Sequence, residues 1–135
     1  MSCDVILLDD DEDLREATAE VISKLVHCTV DTFGSLNQLQ LNYERASSSK
    51  LAFLDINLGL NEPSGLEAYT FLLNNDYRGR VFFFTGHAKS HPLVQTAAQL
   101  GRAEILNKPV AVTSLVRLVR SELEDTNQTS TLLSP

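Results

Sequence analysis

Four short apolar runs, each broken off by a polar residue with chemistry to offer, constrain this chain more than any other feature. Val5-Ile6-Leu7-Leu8 leads into Asp9-Asp10, and Leu51-Ala52-Phe53-Leu54 leads into Asp55. Val81-Phe82-Phe83-Phe84 ends in Thr85-Gly86, and Ile105-Leu106-Asn107 ends in Lys108-Pro109. As parallel strands of one sheet, the four runs would send their polar ends out along one edge. Three carboxylates, a hydroxyl and an ammonium would then share a pocket. Two ionised carboxylates about 4 Å apart repel by roughly 4 kcal/mol at an effective dielectric near 20. Such a cluster calls for protonation, solvation or a bridging cation, and oxygen-only donors suit Mg²⁺ together with phosphate oxygens. Placing Asp11, Glu12 and Asp13 in the first turn of a helix, where the macrodipole favours acids, accounts for those three. It accounts for neither Asp55 nor Lys108.

The rest of the chain extends the pattern. Strand candidates lie near 4–8, 28–33, 51–54, 80–84 and 103–106, alternating with five helical patterns. In the first helix Leu14, Ala17, Val21, Ile22 and Leu25 form an apolar stripe that predicts its buried face. Ser35 with Gln38, and Ser64 with Glu67, have capping-box spacing and mark the starts of the second and third helices. Ser90 and Pro92 predict the start of the fourth, with Gly101 marking its end. Val112, Leu115, Val116, Val119 and Leu123 share one face of the last, with Leu118 toward its edge. Strands 1, 3 and 4 are continuously apolar, as expected where helices cover both faces of a parallel sheet. Strict strand–helix alternation gives an α/β, doubly wound fold, in which ligands sit beyond the carboxyl ends of the strands. Residues 125–135, rich in Thr, Ser and Asn, are expected to form a disordered tail after a domain spanning 1–124.

With 135 residues, 43% of them hydrophobic, the chain fits one globular domain. A net charge of −7 argues against nucleic-acid binding. Arg117 and Arg120 read as a solvated helix face. No apolar stretch approaches a membrane span and no signal peptide opens the sequence, so a cytoplasmic location is expected. Cys3 and Cys28 stand at the starts of two strands, where small buried thiols are common. A disulfide would require those strands to be neighbours, and a reducing cytosol disfavours one. His87 and His91 have i, i+4 spacing, but Ala88 occupies the position where a zincin carries Glu.

Three alternatives fall on chemistry. Asp9, Asp11, Asp13 and Glu20 match an EF-hand at positions 1, 3, 5 and 12. However, Leu14 stands where the sharp turn needs Gly, and a strand precedes the loop. A flavin phosphate loop after the first strand would be repelled by the five acids Asp9 to Asp13. Asp9-Asp10-Asp11 also reads as the D-x-D of a Mg²⁺-dependent haloacid-dehalogenase-type phosphatase, but Glu12 and Asp13 replace the small and hydroxyl residues that follow it there. That phosphatase is the runner-up.

Taken together, Asp9, Asp10, Asp55, Thr85 and Lys108-Pro109 resemble the receiver domain of two-component response regulators, over roughly residues 4 to 124. The resemblance implies a flavodoxin-like five-stranded parallel sheet of order 2-1-3-4-5. It implies that Asp55 accepts a phosphoryl group from the phosphohistidine of a histidine kinase or histidine phosphotransfer protein. Asp10 would bind Mg²⁺ directly, Asp9 largely through water, and the Asn57 carbonyl would add a ligand beside Asp55. Thr85 would hydrogen-bond the phosphoryl oxygens, Lys108 would pair with them, and the Lys108-Pro109 peptide would be cis. The outcome would be a change in affinity for a downstream protein target, with the face made by the fourth helix, fifth strand and fifth helix as a candidate dimer surface. Catalysis would be limited to self-phosphorylation and slow autodephosphorylation. A stand-alone regulator, a phosphorelay intermediate and part of a longer protein remain open. Departures from the family pattern are Gly59 where Pro is common, a loop from Asp55 to Gly65 about two residues longer, and Ile105 where many receivers carry Tyr or Phe. Asn57 and His87 occupy the positions that influence access of hydrolytic water.

Overall fold

The computed structural model describes residues 3–58, 64–86, 91–100 and 103–133, with side chains described as far as Glu124. Gly59, a departure from the family pattern, His87, assigned to water access, and Ser90 and Gly101, expected at the two ends of the fourth helix, lie outside the described residues. Five strands, β1 (Val5–Leu8), β2 (Val30–Phe33), β3 (Leu51–Asp55), β4 (Arg80–Thr85) and β5 (Ala103–Asn107), form one sheet of order β2-β1-β3-β4-β5. Every neighbouring pair is parallel. This is the doubly wound arrangement expected from the alternation of apolar runs and helical patterns, in the flavodoxin-like order that the resemblance implies.

The helices divide between the two faces. Ile6, Leu8, Ala52, Leu54 and Phe83 point to one side, where they meet α2 (Leu36–Leu41), α3 (Tyr43–Ala46), α4 (Gly65–Asn74) and α5 (Pro92–Ala98). Val5, Leu7, Leu51, Phe53, Phe82 and Phe84 point to the other, against Ile22 of α1 (Glu12–Val26) and Leu115 and Val119 of α6 (Val112–Leu133). Because side chains alternate along a strand, runs such as Val5–Leu8 supply both cores at once. On the α1/α6 side Phe53 stacks on Phe82 and Phe84, with ring centroids 5.5 and 5.1 Å apart. Such aromatic pairs add roughly 0.5–1.5 kcal/mol each beyond their buried area.

Several elements depart from the sequence pattern. The stripe predicted for the buried face of the first helix is largely outside: Leu14 is 42% and Leu25 49% exposed, and of α1 only Ile22 is fully buried. The packed side runs instead through Ala19, Ile22 and Val26. Two apolar phases coexist in this helix, and contact with α6 selects between them. The second helical pattern divides into α2 and α3 at Asn42. Ser35 caps α2 as its spacing predicts, accepting from the Gln38 amide at 3.2 Å while Gln38 Oε1 accepts from the Gly34 amide at 2.7 Å. Ser64 begins α4 without a side-chain cap bond. At α5 the cap is His91, whose Nδ1 accepts from the Leu93 amide at 3.2 Å, with Pro92 in the first turn.

The boundary expected at Glu124 does not coincide with an element end. Helix α6 continues to Leu133, because no Gly or Pro interrupts it and Thr, Ser and Asn lower helix propensity without forbidding it. Cys3 and Cys28 stand on neighbouring strands' approaches yet both thiols are free. Cys3 belongs to one core and Cys28 packs against the other, so the sheet separates them. Burial pushes their thiols up to about 12 and about 11.

Candidate functional site

The carboxyl edge of the three central strands is where the polar ends of the apolar runs converge. β1 continues into Asp9, whose amide donates to the Phe33 carbonyl at 3.1 Å before the chain turns into α1. Asp11 caps that helix, its carboxylate accepting from the Leu14 amide at 3.1 Å. The Asp11 amide in turn donates to Asp9 Oδ1 at 3.0 Å. β3 ends on Asp55, whose Oδ1 accepts from the Asn57 amide at 3.2 Å. Helix α4 begins close beneath it. A Cβ on Gly65 would lie 2.3 Å from the Asp55 carbonyl oxygen, so only glycine allows this approach. β4 ends on Thr85, and β5 passes through Asn107 to a cis Lys108–Pro109 peptide. The Lys108 amide donates to the Thr85 carbonyl at 2.7 Å, which fixes where the lysine leaves the sheet.

The lysine joins the strands. Its Nζ lies 3.1 Å from Asp9 Oδ2 and 3.0 Å from Asp55 Oδ2. Asp9, Asp55 and Thr85 are buried, whereas Asp10 is exposed at the rim. One carboxylate oxygen from each of Asp9, Asp10 and Asp55 can be chosen so that all three lie within 4.8 Å of one another. Three carboxylates against one ammonium leave a net negative pocket, and its donors are all oxygen. This set fits a hard divalent cation such as Mg²⁺. Burial pushes the Asp55 carboxyl up to about 6; the Lys108 bond opposes that rise and the Asp9 charge adds to it. Burial alone would lower the Lys108 ammonium, but Asp55 and Asp9 override it and the net shift is upward. The ammonium therefore stays charged, and Asp55 is mostly ionised at neutral pH.

The response regulator receiver domain family matches residues 5–120. The chain belongs to that family. As a fold, the receiver is similar to that of NtrX from Brucella abortus, with a TM-score of 0.75 and 22% identity, covering 90% of this chain and 98% of that one. It is also similar to a CheY-like receiver from Methanospirillum hungatei, with a TM-score of 0.78, 18% identity and coverage of 96% and 99%. A receiver from Clostridium thermocellum gives 0.76 and 18%, covering 94% and 98%. No curated protein matches this chain.

The receiver brings together all five positions singled out from its sequence, Asp9, Asp10, Asp55, Thr85 and Lys108. Asn57 is exposed beside them and takes part through its amide. Asp13 is exposed on α1 and is not one of the three clustered carboxylates. Ile105 is half-buried, packed against the core that contains Val94 and Ala97 of α5. Two residues were missed. Gly65 entered the sequence reading only as the end of the loop from Asp55, and Arg15, whose Nη1 donates to the Asp9 carbonyl at 2.8 Å, was not singled out. A lone arginine following five acids was the signal available for it.

Proposed function

We propose that this receiver accepts a phosphoryl group on Asp55 from a phosphohistidine of a histidine kinase or histidine phosphotransfer protein. An Asp55 carboxylate oxygen attacks the phosphorus, the P–N bond breaks, and the donor imidazole leaves with its electron pair and takes a proton. Asp55 needs no general base, since it is already mostly ionised at neutral pH. Phosphoryl transfer depends on placement and on neutralising charge spread over the phosphoryl oxygens. Lys108, which now bridges Asp9 and Asp55, exchanges a carboxylate for those oxygens, and the Thr85 hydroxyl donates to one of them. Asp10, Asp9, Asp55 and the Asn57 carbonyl would hold Mg²⁺, which supplies positive charge that screens the acidic pocket from the incoming anion.

The observation that carries this reading is the Lys108 ammonium shared between Asp9 and Asp55 at the carboxyl edge of a 2-1-3-4-5 sheet. Output runs through altered affinity for a protein target. The groove of about 550 Å³ between α5 and β5, lined by Val94, Gln95, Ala98, Gln99, Ile105 and Asn107, belongs to the face expected to pair or dock. Among the described residues no helix is long and apolar enough to cross a membrane, and the reading places the reaction in the cytoplasm. Incubation with acetyl phosphate and Mg²⁺ tests the proposal. One phosphoryl group per chain is expected, with only slow phosphate release; rapid multiple turnover of a phosphoester would instead indicate a haloacid-dehalogenase-type phosphatase. Asp10→Ala should weaken Mg²⁺ binding about tenfold or more by calorimetry and Asp13→Ala should leave it unchanged. Equal losses would refute the ligand set.

A further inference from the structure

The Asp9 carbonyl is where β1 leaves the sheet, and its hydrogen bond comes from a side chain. Arg15, one turn into α1, reaches back so that its Nη1 donates to that oxygen at 2.8 Å. Its Nε is buried with no hydrogen-bond partner among the described residues. An apolar side chain of similar length would fill the same space without leaving a buried donor unsatisfied, so packing alone does not account for an arginine here. The neighbouring strand makes room for it. Past Phe33, β2 gives way to Gly34, where a Cβ would lie 3.0 Å from Arg15 Nη1, and the Gly34 amide is held by Gln38 Oε1.

We propose that Arg15 is a positioning residue for the Mg²⁺ site, acting through the Asp9–Asp10 peptide; this rests on the function proposed above. The carbonyl of Asp9 and the amide of Asp10 belong to one planar unit. Holding the oxygen fixes the plane from which the exposed Asp10 departs. The Asp9 side chain is held separately, by the Asp11 amide at Oδ1 and by Lys108 at Oδ2. Arg15 is therefore the side chain that holds the Asp9–Asp10 peptide at its oxygen, between the Asp9 amide bonded to the Phe33 carbonyl and the Asp11 amide bonded to Asp9 Oδ1, and through that peptide it bears on Asp10. Gly34 is its socket.

Charge alone predicts the opposite effect of removing Arg15, which gives the test its sign. A cation beside an acidic pocket repels Mg²⁺, so its loss would tighten binding if electrostatics were its whole contribution. Positioning predicts weaker binding. Calorimetric titration of the full chain with MgCl₂ is the readout, with phosphorylation by acetyl phosphate scored separately. Arg15→Met should weaken Mg²⁺ three- to tenfold, and Arg15→Lys, which keeps a donor, should recover part of that loss. Gly34→Ala should weaken it about twofold in the native background and have no further effect in Arg15→Met, because it acts by displacing the guanidinium. Unchanged or tighter binding in Arg15→Met overturns the proposal. If Arg15→Met does not fold, equal binding by Gly34→Ala, Arg15→Lys and native protein overturns it. Weaker Mg²⁺ binding in these variants, with a native chain that takes up no phosphoryl group, would support the positioning role and refute the phosphoacceptor reading. A native chain that binds no Mg²⁺ refutes both.

Discussion

At the scale of single residues, Asp55 and Lys108 are set against each other by burial. Asp55 has its carboxyl raised from 3.8 to about 6, mainly because it is taken out of water. In this window the folded state binds more protons than the unfolded state, so Asp55's contribution to stability is fully present below about 3.8. It is lost as pH rises through about 6. Without metal, Asp55→Asn should therefore raise stability at pH 7.5 by about 1–3 kcal/mol, since each pKa unit corresponds to about 1.4 kcal/mol. Urea unfolding in the presence of a chelator should show that gain vanish below pH 4, and a gain independent of pH would contradict the assigned strain. Lys108 opposes the rise, so Lys108→Met should move the Asp55 carboxyl above 6, read directly by carboxyl carbon NMR titration. The chemistry of these two positions was legible because each stands alone at the end of an apolar run. The role proposed for Arg15 was not, since it depends on Gly34, just past the end of β2, which only the fold brings alongside.

Among the secondary-structure elements, strands were more legible than helix faces. β1, β3 and β4 are buried on both sides, so an unbroken apolar run fixes both their existence and their ends. α1 carries apolar residues in two phases, Leu14–Val21–Leu25 and Ala19–Ile22–Val26, and only packing against α6 decides which is inside. Helix α4 shows a different dependence. Its first residue, Gly65, donates its amide to the Ile56 carbonyl at 2.9 Å and lies so close to Asp55 that no side chain fits. Gly65→Ala should push α4 away from the end of β3. A destabilisation of about 1–3 kcal/mol is expected, typical of overpacking, together with slower phosphorylation of Asp55. Denaturant midpoints and acetyl phosphate kinetics check both effects, and a fully stable, fully reactive variant would show that this approach does not position the site.

For the whole molecule, the doubly wound sheet explains why residues from four separate strands converge on one edge. Parallel strands all end on the same side, and the sheet order places β1, β3 and β4 side by side with β5 next to them. Under the proposed function, switching would amount to a shift in population: phosphorylation would change partner affinity only as far as the two conformations bind the partner differently. Ile105, half-buried on β5 and packed against the core that includes α5, has no ring to reorient, so any shift on that face depends on how aliphatic packing responds. The central claim, that Asp55 is a metal-assisted phosphoacceptor, is tested most directly by intact-mass measurement after incubation with acetyl phosphate. The native chain should gain one phosphoryl group with Mg²⁺ and almost none with a chelator, and Asp55→Asn should gain none under either condition. Full phosphorylation of Asp55→Asn, or uptake by the native chain that is indifferent to the metal, would contradict it.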